Sequence, residues 1–241
     1  MQSKLALEKE DFFYRDTAIP VINDVLSFFA SVKKPAKKTF ENIWSYPIDP
    51  DVWFELHEDT GYALYYVNVS IESVDFEPDH PGWNINGTAG VNSSNEATID
   101  IQIQISPKYF GDTKILPKLK SELYNVVPHE MHHLTQTDGP FQRISCPLTA
   151  NAGASGNFNY FMSSCEIPAF VIGFRGEAHE SGRSIEELID VYLKNQERAK
   201  LITRQESDNI KKAWMTHSSW HSSSNESIIR EYIRLAAEVQ R

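Results

Sequence analysis

Two histidines four residues apart, His129 and His133, stand late in a run of apolar residues spaced for one long helix. No other stretch constrains the chain as strongly. On an α-helix, positions i and i+4 share a face one turn apart, so both imidazoles can aim a nitrogen at a single ion. Glu130 follows His129 and lies about 100° around the helix, at the edge of that face. Its carboxylate can reach a water on such an ion without being forced onto the ion itself. The order His129-Glu130-Met131-His132-His133 therefore reads as a two-histidine zinc site with its own general base.

The surrounding pattern supplies the helix. Leu116, Leu119, Leu123, Val126 and Val127 recur at helical spacing, and the pattern runs on to Leu134. Asp112 or Thr113 can cap the start, and Pro117 falls in the first turns, where proline is tolerated. Thr137-Asp138-Gly139-Pro140 ends it. Pro128 disagrees with this pattern. Inside a helix it removes one backbone hydrogen bond and meets the carbonyl of Tyr124, which predicts a kink or two helical pieces.

A zinc ion that keeps a position open for water needs a third protein ligand. Metzincins continue the motif as H-E-x-x-H-x-x-G-x-x-H. Here Gln136 stands at the glycine position and Gly139 at the third histidine, so that pattern is broken. The chain instead resembles the gluzincins, the HExxH class of thermolysin-like and minimal phage and bacterial zinc peptidases. Their third ligand is a glutamate on a second helix. The segment Ser164-Cys165-Glu166-Ile167-Pro168-Ala169-Phe170-Val171-Ile172-Gly173-Phe174 offers Glu166 for that role. A lone carboxylate among apolar residues is costly to bury unless it is paired or bound to metal. Ala169, one turn on, is small enough for close packing beside it. Asp138 remains a rival ligand, although an aspartate in that turn also has an ordinary structural use.

The resemblance spans roughly residues 98–175 and names no subfamily. It implies a zincin-like α+β fold, with a small, mostly antiparallel sheet before the motif helix and a mainly helical C-terminal half. It also implies one zinc per chain and hydrolysis of peptide bonds. Glu130 would take the proton of the attacking water and return it to the leaving amine. A further donor would assist the oxyanion. Tyr160, just upstream of the Glu166 helix, is the leading candidate, with Arg175, His179, His217 and His221 as others. The competing reading is a binding protein that keeps the fold without turnover. The intact Glu130 favours the enzyme, because a site that only binds has no need of the base.

The 241 residues fit a single domain with an N-terminal α+β part over about 1–138, a helical part over about 139–241 and the site between them. A net charge of −10 argues against nucleic acid as a partner. A protein or peptide substrate is what the resemblance implies. Met1–Glu10 lacks a long apolar run, and no stretch approaches membrane-spanning length. No membrane association is expected. Cys146 and Cys165 are the only cysteines, read here as free thiols in a reducing, cytoplasmic setting. A disulfide between them is the alternative.

Along the rest of the chain, residues 17–32 carry a helical stripe of Ile19, Ile22, Val25, Leu26 and Phe29. Ala63–Val69 reads as a strand, and residues 77–97 as a loop rich in Pro, Gly, Asn and Ser. Residues 98–105 alternate Ile99, Ile101, Ile103 and Ile105 with polar neighbours, a strand with one face in a core and one in water. That strand suits either the sheet interior or a substrate-pairing edge. Residues 139–159 read as a long polar loop beside the site. Helices are expected over 184–203, with Ser184 as cap and Glu187 as its capping-box partner, over 206–222, and over 226–240.

Overall fold

The computed structural model describes residues 18–27, 29–31, 42–47, 64–76, 82–91, 97–135 and 153–220. The helix expected at 226–240, Asp138, Cys146 and His221 lie outside the described residues. The fold is α+β. It divides into two compact units, Met1–Thr137 and Asp138–Arg241.

The first unit opens with helix α1, over 18–27 and continuing at 29–31. Ala18, Val21, Ile22, Val25 and Phe29 are buried on one stripe, and the Phe29 ring packs against Phe110 with centroids 5.6 Å apart. Four strands follow: β1 (Asn42–Pro47), β2 (Leu64–Ser73), β3 (Trp83–Val91) and β4 (Ala97–Ile105). Their order in the sheet is β1-β2-β4-β3. β2 and β4 run parallel, and the two outer pairings are antiparallel, so the sheet is mixed. Ile99, Ile101, Ile103 and Ile105 are fully buried, whereas Asp100 and Gln102 are exposed, as period-2 alternation requires.

One open alternative is decided here, and one expectation fails. β4 is internal, so it is not a substrate-pairing edge. Among the described residues the outer strands are β1 and β3. The stretch 77–97 is not all loop, because β3 occupies its centre. Gly87, Gly90, Asn84 and Asn86 weaken its intrinsic strand preference. Pairing along the whole length of β4, from Trp83–Ile105 to Val91–Ala97, overrides that preference.

Two 3-10 turns, Pro107–Tyr109 and Thr113–Ile115, lead into helix α2 (Leu116–Thr135). Asp112 caps the second turn, its Oδ1 accepting from the Lys114 N–H at 3.0 Å. Ile115, Leu119, Leu123, Val127 and Met131 form the fully buried stripe, four residues apart throughout, and the helix lies against β3 and β4. Pro128 is buried within this one span, so the motif is not split into two helical pieces.

The second unit is helical: α3 (Gly153–Phe161), α4 (Glu166–Ser181), α5 (Ile185–Arg198) and α6 (Arg204–Trp220). α3 replaces the C-terminal part of the loop expected over 139–159. The core is aromatic. Trp214 is fully buried and stacks on Phe170 at 4.5 Å and 17°, and its indole N–H donates to the Phe161 carbonyl at 3.0 Å. Satisfying that donor lets a tryptophan occupy the centre of the core. Ser184 caps α5 by accepting from the Glu187 N–H at 3.1 Å. Thr203 and Glu206 form a reciprocal capping box before α6, each side chain accepting from the other's N–H. α4 stops at Gly182, whose φ of 69° is a left-handed conformation that glycine adopts without penalty. No helix among the described residues is long and apolar enough to cross a membrane.

Candidate metal centre

His129, Glu130, His132 and His133 are all buried, on a helix whose remaining buried positions are apolar. The i, i+4 geometry does what the sequence predicts. His129 Nε2 and His133 Nε2 converge to 3.1 Å, with the rings at 78° to each other. A hydrogen bond between them would need one nitrogen protonated and the other bare. A cation uses both lone pairs. Two nitrogens on a tetrahedral zinc stand roughly 3.4 Å apart, given metal–nitrogen distances of about 2.0–2.1 Å, so the observed separation suits that geometry.

Glu130 Oε1 lies 3.9 Å from His129 Nε2. Close packing on β3 holds the glutamate side chain there. A Cβ built on Gly87 would overlap Glu130 Cγ and come within 2.7 Å of both Cδ and Oε1. The carboxylate thus occupies the space that a side chain at position 87 would fill.

Glu166 is 4% exposed and sits in the first turn of α4. The turn begins at Ser163, whose carbonyl accepts from the Ile167 N–H at 3.1 Å and whose Oγ accepts from the Glu166 N–H at 3.2 Å. Ser163 Oγ thus satisfies one N–H in the turn that leads into the helix, while Cys165 stands at its N-cap position without a side-chain cap. An anionic carboxylate is favoured there, because the first-turn N–H groups carry the positive end of the helix dipole. Ala169, one turn on, is completely buried.

The ligand atoms of His129, His133 and Glu166 all lie within 4.8 Å of one another, and this buried group could hold a metal ion. Glu130 is not a member of the group, and its carboxylate stands beside His129.

The candidate oxyanion donors are scattered in kind. The Tyr160 ring is edge-on to Phe161 at 5.4 Å and to Phe170 at 6.1 Å, at the margin of the aromatic core. Arg175 donates to the Ser218 carbonyl at 3.0 Å. His217 is buried and His179 is exposed.

Sequence reasoning missed two features and ranked a third second. Tyr192, placed in the core by its helical stripe, has its hydroxyl pushed far above the ordinary range, first by burial and then by the charge of Glu166. A tyrosine on an apolar stripe carries no signal of such a neighbour. Gly87 was hidden in an expected loop. Cys165 is disulfide-bonded, which is the alternative to the free thiol read first. The expectation of free thiols rested on the low cysteine count, which does not report on pairing.

No family model matches the chain, and neither a curated protein nor a solved structure matches it significantly.

Proposed function

We propose that this chain is a zinc-dependent hydrolase of peptide bonds, a gluzincin-like metalloendopeptidase. In this reading His129, His133 and Glu166 hold one zinc ion per chain and Glu130 is the general base. The observation that carries it is the convergence of two Nε2 atoms at 3.1 Å with a second buried carboxylate oxygen 3.9 Å from one of them. A site that only stores a metal has no use for that second carboxylate beside the ligands.

Zinc would supply a Lewis acid that polarises a water and the scissile carbonyl. Glu130 accepts the proton of the attacking water and passes it to the departing amine. Its buried setting keeps bulk water from competing for that proton. Tyr160 is the candidate donor to the developing oxyanion. The substrate is a protein or peptide in extended conformation, paired along the outer edge of β3, where backbone groups bind without reading side chains. The net charge of −10 disfavours nucleic acid. The disulfide at Cys165 favours an oxidising compartment over the cytoplasm that the sequence suggested.

Two measurements test the reading together. Elemental analysis should find one zinc per chain. Glu130→Gln should keep that zinc and lose hydrolysis of denatured proteins, read as new termini by mass spectrometry. Cleavage by Glu130→Gln at the wild-type rate would remove Glu130 from the mechanism. Wild-type protein that holds zinc and cleaves nothing would favour the non-catalytic binding reading.

A further inference from the structure

We infer that Gly87 is a positioning residue for Glu130: its bare α-carbon on β3 is the seat of the Glu130 carboxyl group. The inference rests on the hydrolase reading for its functional consequence, but not for its geometry.

Three observations carry it. The first is the fit at position 87. A Cβ there would overlap Glu130 Cγ, and the carboxyl carbon would have to recede by about 0.7 Å to regain ordinary contact. Gly90, on the same strand, has nothing within 4 Å of the corresponding point, so β3 does not exclude side chains in general.

The second is the register of β3 along α2. The Trp83 indole N–H donates to Glu122 Oε1 at 2.8 Å, and the Lys118 ammonium lies 5.5 Å from the same ring. From Trp83 to Gly87 is four strand residues, about 13 Å. From Glu122 to Glu130 is eight helical residues, about 12 Å. The two elements keep step, so the anchored tryptophan brings Gly87 opposite Glu130.

The third is the direction of the backbone groups. The Gly82 carbonyl accepts from the Ser106 N–H at 2.7 Å, and Trp83 faces Ile105 across the antiparallel pair. Backbone direction alternates along such a strand. Asn84, Asn86 and Thr88 therefore turn their N–H and C=O groups to β4, while Ile85, Gly87 and Ala89 turn theirs to the outer edge. Gly87 places the base beside the point where an extended chain would exchange backbone hydrogen bonds with the strand. Any larger residue at 87 moves the carboxylate away from that point. Misplacement of a reacting group by about 1 Å costs on the order of 10²-fold in rate.

The test compares Gly87→Ala with Gly90→Ala, each alone and combined with Glu130→Ala, in the zinc-loaded full chain. Unfolding midpoints in urea are measured for all, and kcat and KM for the single variants on dye-labelled denatured casein. Gly87→Ala should lower the midpoint in the wild-type background and lose that cost when Glu130 is alanine, because the atoms it strikes are gone. It should also lower kcat by about 10–100-fold with zinc retained and KM changed less. Gly90→Ala should do neither. An equal stability cost of Gly87→Ala with and without the Glu130 side chain would overturn the inference. So would wild-type kcat in Gly87→Ala. If Gly87→Ala alone fails to fold, folding of the double variant carries the same information. If wild type does not cleave casein, the midpoint cycle alone decides the role of Gly87, and the hydrolase reading is judged separately.

Discussion

Removing the Glu166 carboxylate should cost two to three orders of magnitude in zinc affinity. Closed four-ligand zinc sites bind with about 10–16 kcal/mol, so one protein ligand is worth roughly 3–4 kcal/mol. At about 1.4 kcal/mol per decade, that corresponds to about 10²–10³-fold. Burial pushes the expectation to the upper end, because at 4% exposure bulk water is poorly placed to take over the lost coordination. Glu166→Gln is the sharper variant. It keeps the side-chain volume and the backbone bond from residue 166 to Ser163 Oγ, and it removes only the charge. The assay is zinc competition against a chromogenic chelator at neutral pH, on protein whose helical content is first checked by circular dichroism. Asp138→Ala is the comparison and should bind zinc like wild type. If Glu166→Gln holds zinc within about threefold of wild type while Asp138→Ala releases it, the third ligand is wrong and α4 has no place at the metal.

Two further outcomes are expected. Cys165 is disulfide-bonded, and such a cross-link is typically worth about 2–4 kcal/mol of stability. Urea unfolding with and without reductant should show that loss, and Cys165→Ser should be insensitive to reductant. The native state holds the Tyr192 hydroxyl protonated well above its ordinary range, with burial the first cause. The unfolded chain ionises near pH 10, so this contribution is complete below about pH 10 and is lost as pH rises beyond it. Tyr192→Phe should flatten the alkaline limb of stability against pH, and an unchanged slope would contradict that assignment.

The part of the candidate site that lies on α2 was legible because its geometry is local. A helix sets the spacing of His129, Glu130 and His133 whatever it packs against, and the buried stripe of Leu119, Leu123 and Val127 is the 3.6-residue period made visible. The alternation of Ile99 to Ile105 and the Ser184 cap were legible for the same reason. Two local cues were ambiguous or misleading. Pro128 suggested a kink or two helical pieces, and the continuous span removes the second of these. Glycine and asparagine in residues 83–91 suggested a loop, yet β4 draws them into a strand. In β3 the weak local preference coincides with the place where Glu130 needs an empty position.

The sequence by itself determined the elements and the chemistry each can carry: a helix with two imidazoles on one face, a strand with one apolar side and a glutamate in an apolar segment. Only the tertiary structure decided that β4 lies inside the sheet and β3 at its rim, that Gly87 stands against Glu130, and that Glu166 joins the two histidines in one buried group. Periodicity and capping depend on neighbours three or four residues away. Strand order, a carboxylate seated on a bare α-carbon and a buried group of two histidines and a glutamate depend on side chains far apart in the chain, whose meeting is settled by how the whole core packs.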